Sequence, residues 1–172
     1  MKNRTVEEGY IQDRSDIKEM IRTEPNMNII ELKLLNKNVK MPQYKTSGAA
    51  GFDLQAAIDT TRTVYPGTHE LIPSGVAVSI NDPGVAGFLL SRSGFGLKNV
   101  RLANCVGLID SDYQGEIGII LFNDADEPFE VKPLERIAQL VFTPILRPKL
   151  MLVEEFTELS DRGVNGFGST GK

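Results

Sequence analysis

The chain has 172 residues, 41% of them apolar and 24% charged, which suits one soluble domain with a real core. A formal net charge of −4 gives no pull toward nucleic acid or an anionic membrane, and no apolar run approaches the length of a membrane span. One cysteine (Cys105) and one histidine (His69) exclude an intramolecular disulfide and a Cys/His zinc site from one chain, leaving carboxylate, hydroxyl, guanidinium and amide chemistry.

Residues 1–26 differ from the rest. Mixed charges (Glu7, Glu8, Asp13, Arg14, Lys18) surround Ile17, Met20 and Ile21, whose spacing predicts a short helix stopped by Pro25. The segment lacks the apolar core of a signal peptide, and its acidic residues argue against a transit peptide. It reads as an appendage. With the single cysteine fitting a reducing compartment, a cytoplasmic location is expected.

From Met27 the texture is β. Short apolar or alternating runs predict strands at 29–34, 52–57, 70–72, 76–80, 85–90, 100–106, 117–122, 129–131 and 137–142. Proline or glycine punctuates them, as at Pro42, Pro66-Gly67, Pro73, Gly75, Pro83-Gly84 and Pro133. Many short strands with frequent turns indicate an all-β sandwich, jelly roll or closed barrel. Residues 93–98 are expected to form one helical turn, Cys105 a small core position, and His69 an exposed strand start. The β domain is placed at 27–159 and a Gly-rich C-terminal segment at 160–172.

The stretch 107–116 concentrates the chemistry. Apolar runs on both sides of a link rich in Gly and Asp predict a β-hairpin. The link carries Asp110, Asp112 and Tyr113, more than a turn requires, so it reads either as a site on a hairpin or as a solvated acidic turn. The last residues mix Arg162, Phe167, Ser169 and Thr170 with glycines, which suits anion contacts and stacking on a flat ring, or simply a frayed end. Residues 166–172 match the G-x-x-x-x-G-K core of a P-loop, but no buried strand precedes them, and a P-loop is not expected.

Five segments then stand out in order: Ala50-Gly51-Phe52-Asp53-Leu54, Ser91-Arg92-Ser93-Gly94, the stretch through Asp110, Arg136-Ile137-Ala138-Gln139-Leu140, and the tail from Arg162-Gly163 to Gly171. Together, on an all-β chain, they resemble the five motifs of the homotrimeric dUTP nucleotidohydrolases (dUTPases). The resemblance runs from about Met27 to Lys172. It implies a distorted jelly-roll subunit, a homotrimer with active sites shared between subunits, and release of pyrophosphate from dUTP to leave dUMP. By the same resemblance, Asp110 is the general base that activates a water to attack the α-phosphorus.

The remaining roles are likewise implied by the resemblance. Asn104, with the backbone of Gly107 and Ile109, would read the uracil edge, and Tyr113 would lie beneath the deoxyribose, where a ribose 2′-hydroxyl would collide. Arg92, Ser93, Gly94 and Gln139 would hold phosphates, Phe167 would stack on uracil, and Arg162, Gly168, Ser169 and Thr170 would close on the γ-phosphate. Asp53, Asp112 and Arg136 would support the site. Mg²⁺ would be held by triphosphate and water, with no direct protein ligand. No nucleic-acid or membrane partner is expected.

Blander readings stand beside these. Asp53 after Gly51 equally well orders a turn, Arg136 suits a structural ion pair, and Tyr113 suits ordinary packing. A half-apolar strand gives Gln139 no such alternative, because an unpaired buried amide is costly. The competing enzyme of this fold is a dCTP deaminase, which uses a glutamate in the strand that follows; Ile120 occupies that position. A signalling role for a nucleotide-occupied trimer would have to use residues 1–26.

Overall fold

The computed structural model describes residues 29–158 and 160–164; the expected N-terminal appendage and helix, and the tail residues Phe167, Gly168, Ser169 and Thr170, lie outside them. Ten strands and one helical turn follow in order: β1 (Glu31–Leu34), β2 (Phe52–Gln55), β3 (Arg62–Val64), β4 (His69–Ser79), β5 (Val85–Ser91), α1 (Ser93–Gly96), β6 (Val100–Leu102), β7 (Gly107–Ile109), β8 (Glu116–Asn123), β9 (Phe129–Val131) and β10 (Arg136–Pro144). One antiparallel sheet has the order β1-β4-β8-β6, a second β2-β10-β5-β7, and β3 pairs with β9. This is the expected jelly-roll-like β fold.

Alternation drives the packing. In β8, Ile117, Ile119, Leu121 and Asn123 point inward while Glu116 and Gly118 face out. From the second sheet, Leu54, Leu89, Ala138 and Leu140 meet them in one buried cluster with Ile72, Val76 and Val78 of β4. The buried Asn123 joins this core because its amide is fully used: it donates to the carbonyls of Val64 (2.9 Å) and Glu127 (2.8 Å) and accepts from the Ala125 amide (2.9 Å).

Three expectations need correction. The runs at 70–72 and 76–80 are one strand, β4, which absorbs Pro73 and Gly75 in a register shift between Pro73 and Ala77. Gly75 has φ 68°, and a Cβ there would stand 2.8 Å from Val39 Cγ2, so both conformation and space demand glycine. The run at 100–106 is not a single strand. It stops at Leu102, and Cys105 sits in a turn at φ 61°, exposed and outside the core.

The predicted hairpin through Asp110 is also absent. β6 and β8 do pair, but the chain between them leaves that sheet, adds β7 to β5 in the other, and returns. The chemical stretch is therefore a crossing between two sheets. β3, which the pattern did not predict, has one inward apolar residue, Val64. His69 opens β4 and is exposed, as expected.

Candidate functional site

Most of the described candidate residues fall into two groups at opposite ends of β5. Asp110 follows β7 directly, and β7 runs antiparallel to β5 with Ile109 opposite Gly87. Four residues form a tight turn there, since the amide of Tyr113 donates to the carbonyl of Asp110 at 3.1 Å. The Asp110 carboxylate is exposed and, among the described residues, takes no hydrogen bond of its own, so its lone pairs are free for water. It opens onto a shallow groove of about 300 Å³ shared with Ser111, Asp112, Leu108 and Arg147.

This turn is anchored from below by residues the sequence reading passed over. The Glu116 carboxylate accepts from the Gly75 amide at 2.7 Å, Gln114 Nε2 donates to Ser79 Oγ at 3.0 Å, and the Asn81 amide donates to the Ser111 carbonyl at 3.1 Å. All three tie the turn to β4 or the residues just past it. The positive φ at Gly75 marks the bulge whose amide is free to leave the ladder for Glu116. Polar residues on both sides of Tyr113 are the only sequence signal that could have flagged them.

Asn104 and Gly107 lie between the two groups: Gly107 stands opposite Leu89 in the middle of β5, and the Leu102 amide, two residues before Asn104, donates to Ser91 Oγ at 2.9 Å. A Cβ on Gly107 would lie 2.9 Å from Leu89 Cβ and 3.5 Å from Asn104 Nδ2, so the Asn104 side-chain amide lies beside bare backbone. The turn between β6 and β7 places it, through the Cys105 amide donating to the Leu102 carbonyl at 3.0 Å. Ile109 is half-buried against the core. Tyr113 is exposed on one side, and its hydroxyl donates to the Glu116 carbonyl at 2.8 Å.

The second group lies where β5 ends. Arg92 precedes α1, and its Nε donates to Asp53 Oδ1 at 2.9 Å while a terminal nitrogen donates to the Arg136 carbonyl at 2.8 Å. Arg136 donates to the other Asp53 oxygen at 2.9 Å. Asp53 is only 13% exposed at its side chain, so this is a partly buried carboxylate shared by two guanidiniums. Gln139 pairs with Asp53 across β10 and β2 and shares its face of the sheet. It is half-buried, and its amide makes no hydrogen bond among the described residues. Ser93 and Gly94 open α1 and are exposed, ahead of the first helical bonds, which Phe95 and Gly96 give to the Arg92 carbonyl.

One chain does not bring the two groups together. Asp110 stands level with Ala86, six positions before Arg92 along β5, a separation of roughly 20 Å at strand rise. Arg162 is described, exposed, in a turn closed by the Gly163 amide on the Ser160 carbonyl at 2.9 Å. Beyond β10 the described residues run on without strand pairing, and Leu146 (94%), Leu150 (94%), Leu152 (100%) and Phe156 (82%) are left in the open.

Comparison with known proteins supplies the chemistry's context. The family model described as dUTPase matches residues 37–171. The deoxyuridine 5'-triphosphate nucleotidohydrolase of Nitrosospira multiformis is 49% identical over 149 residues, covering 85% of this chain and 99% of that protein. Its counterpart from Aromatoleum aromaticum is 50% identical with the same coverage. Among solved structures, a Staphylococcus bacteriophage 80alpha dUTPase variant with dUpNHpp superposes with a TM-score of 0.73 at 36% identity, over 85% of this chain and 100% of that one. A variant dUTPase from phage phi11 of S. aureus, described with a structural Mg(II) ion, gives a TM-score of 0.67 at 31% identity, over 75% and 99%.

Proposed function

The chain belongs to the dUTPase family and hydrolyses dUTP to dUMP, and from that premise we propose how its own residues do so. Asp110 takes a proton from a water in the groove. The resulting hydroxide oxygen bonds to the α-phosphorus, the bond from that phosphorus to the bridging oxygen breaks, and pyrophosphate leaves with the electron pair. The exposed carboxylate, unpartnered among the described residues, supports this role, since a base must present a free lone pair to water. Asn104 and the backbone at Gly107 and Ile109 read uracil, and Tyr113 lies beneath the sugar.

The observation that carries the reading furthest is the roughly 20 Å between the base and the arginine group along β5. The water attacks at the α-phosphorus, so donors to the phosphates must stand within a few ångströms of the base. Arg92, Ser93, Gly94 and Gln139 therefore serve the site of a neighbouring chain, and the active unit is a homotrimer with shared sites. The exposed apolar run from Leu146 to Phe156 supports assembly, because monomers rarely leave so much apolar surface uncovered. The segment 160–172, a unit apart from the 27–159 domain, closes over the site with Arg162, Phe167, Gly168, Ser169 and Thr170.

Among the described residues no three of His, Cys, Asp and Glu gather into a metal cage. A Mg²⁺ ion would be held by the triphosphate and its waters, with Asp112 and Asp53 acting on the surroundings. The ion would supply neutralisation of phosphate charge. The cytoplasmic setting belongs to the same reading, as does the absence of nucleic-acid and membrane partners. The dCTP deaminase alternative is not favoured: Ile120, half-buried on β8, stands where its acid would be needed.

Pyrophosphate release from a panel of dUTP, dTTP, dCTP and UTP with Mg²⁺ tests the proposal. Turnover of dUTP with strong rejection of the other three is expected. Equal turnover of dTTP, or ammonia release from dCTP, would overturn it.

A further inference from the structure

Tyr113 reaches its place by folding back over the turn that carries it. Its hydroxyl is tethered three residues on, to the Glu116 carbonyl at 2.8 Å, and the ring passes over residue 115. A Cβ built on Gly115 would stand 2.6 Å from Tyr113 Oη, 2.8 Å from Cζ and 3.0 Å from Cε2. Carbon atoms do not approach so closely, and all three obstructing atoms belong to the one tyrosine. Backbone conformation gives no separate reason for glycine, since the described glycines with positive φ are Gly67, Gly75 and Gly163. What position 115 demands is empty space under a ring.

The far side of that contact cannot yield easily. Glu116 begins β8, pairs with Ala77 and is held through its carboxylate to the Gly75 amide. Tyr113 is 44% exposed, so its ring has open solvent to swing into. A methyl group at 115 would therefore move the tyrosine and leave the strand in place.

We propose that Gly115 is a positioning residue for sugar selection: its missing side chain lets Tyr113 lie down and be tethered at Glu116, and so keeps the ring from retreating before a 2′-hydroxyl. This rests on the reading of Tyr113 as the platform beneath the deoxyribose. A tethered ring excludes the ribonucleotide by collision, whereas a displaced ring leaves room for it.

The test compares kcat/KM for dUTP and UTP in Gly115→Ala, Tyr113→Ala and the double variant, with thermal melts to confirm folding. Gly115→Ala is expected to lower the dUTP/UTP ratio roughly tenfold or more, mostly by raising turnover of UTP. Tyr113→Ala should lower it at least as far, and the double variant no further than Tyr113→Ala alone, since both act through one ring. An unchanged ratio in Gly115→Ala beside a collapsed ratio in Tyr113→Ala overturns the role of Gly115 and leaves the sugar platform standing. An unchanged ratio in Tyr113→Ala overturns the platform, and the inference with it. Should Gly115→Ala not fold, Tyr113→Phe removes the tether without touching 115. A lowered ratio there supports the tether, and an unchanged one overturns it.

Discussion

Asp53 holds Arg92 across 39 positions of sequence, carboxylate to Nε at 2.9 Å, and offers its other oxygen to Arg136 at the same distance. The carboxylate sits on β2, the first arginine beyond β5 and the second at the start of β10. Its charge keeps two guanidiniums from drifting apart, and draws Arg92 from the end of β5 across β10 toward β2.

Asp53→Asn retains the shape but weakens both charge-assisted bonds, a loss of about 1.5–3 kcal/mol in holding Arg92. The KM for dUTP should rise roughly tenfold to a hundredfold while the thermal melt changes little. Steady-state kinetics beside calorimetric melting would check this. An unaltered KM would mean that Arg92 does not touch the nucleotide.

Asp110→Asn keeps the size of the side chain and removes its basicity. Turnover should fall by roughly 10²–10⁴-fold, and titration calorimetry with a non-hydrolysable dUTP analogue should show binding largely retained. Near-normal kcat would move the base elsewhere.

Two inactive variants should repair each other if the site is shared. Asp110→Asn lacks the base but has the arginine, and Arg92→Ala the reverse. In a closed ring of three, every mixed trimer holds one site with both intact, and random re-assembly of equal amounts makes about three-quarters of trimers mixed. About a quarter of normal activity should return. No recovery, with mixed trimers seen by native mass spectrometry, would place base and arginine in the same chain. The same logic applies to the tail: a chain cut before Ser160 should remain folded, be inactive alone, and be rescued by Asp110→Asn only if base and tail come from different subunits.

Asn123→Ala should cost stability and nothing else. It strands the buried carbonyl of Val64 and the partly buried carbonyl of Glu127 and amide of Ala125. A loss of about 3 kcal/mol, or roughly 6–12 °C in Tm, is expected, with kcat/KM unchanged below the transition. A large fall in kcat/KM in the folded variant would tie β8 to the chemistry directly.

The β class was legible because alternation and turn residues are local signals, and most strands lie where those signals put them. What sequence could not show was pairing. β7 is three residues long, and whether it continues a hairpin or crosses to β5 depends on partners far away in the chain. Pro73 looked like a break in β4 because a bulge that spares its missing amide is invisible in composition. The motifs themselves were readable through resemblance, yet their division between two ends of β5 was not, nor was the sharing of Asp53 across 39 and 83 positions. Cys105 looked apolar and proved to be a turn residue, because its left-handed backbone overrode its side-chain preference.

The Gly75 amide, given over to Glu116 in place of the strand ladder, is also a natural clock. Its proton can trade for deuterium only when the Glu116 carboxylate lets go, which is to say when the turn carrying Asp110 lifts from β4. Its neighbours in β4 exchange through opening of the sheet itself. The difference in rate between that one amide and those around it would count how often the turn detaches in the resting protein, and saturation with a nucleotide analogue would show how far an occupied site stills it.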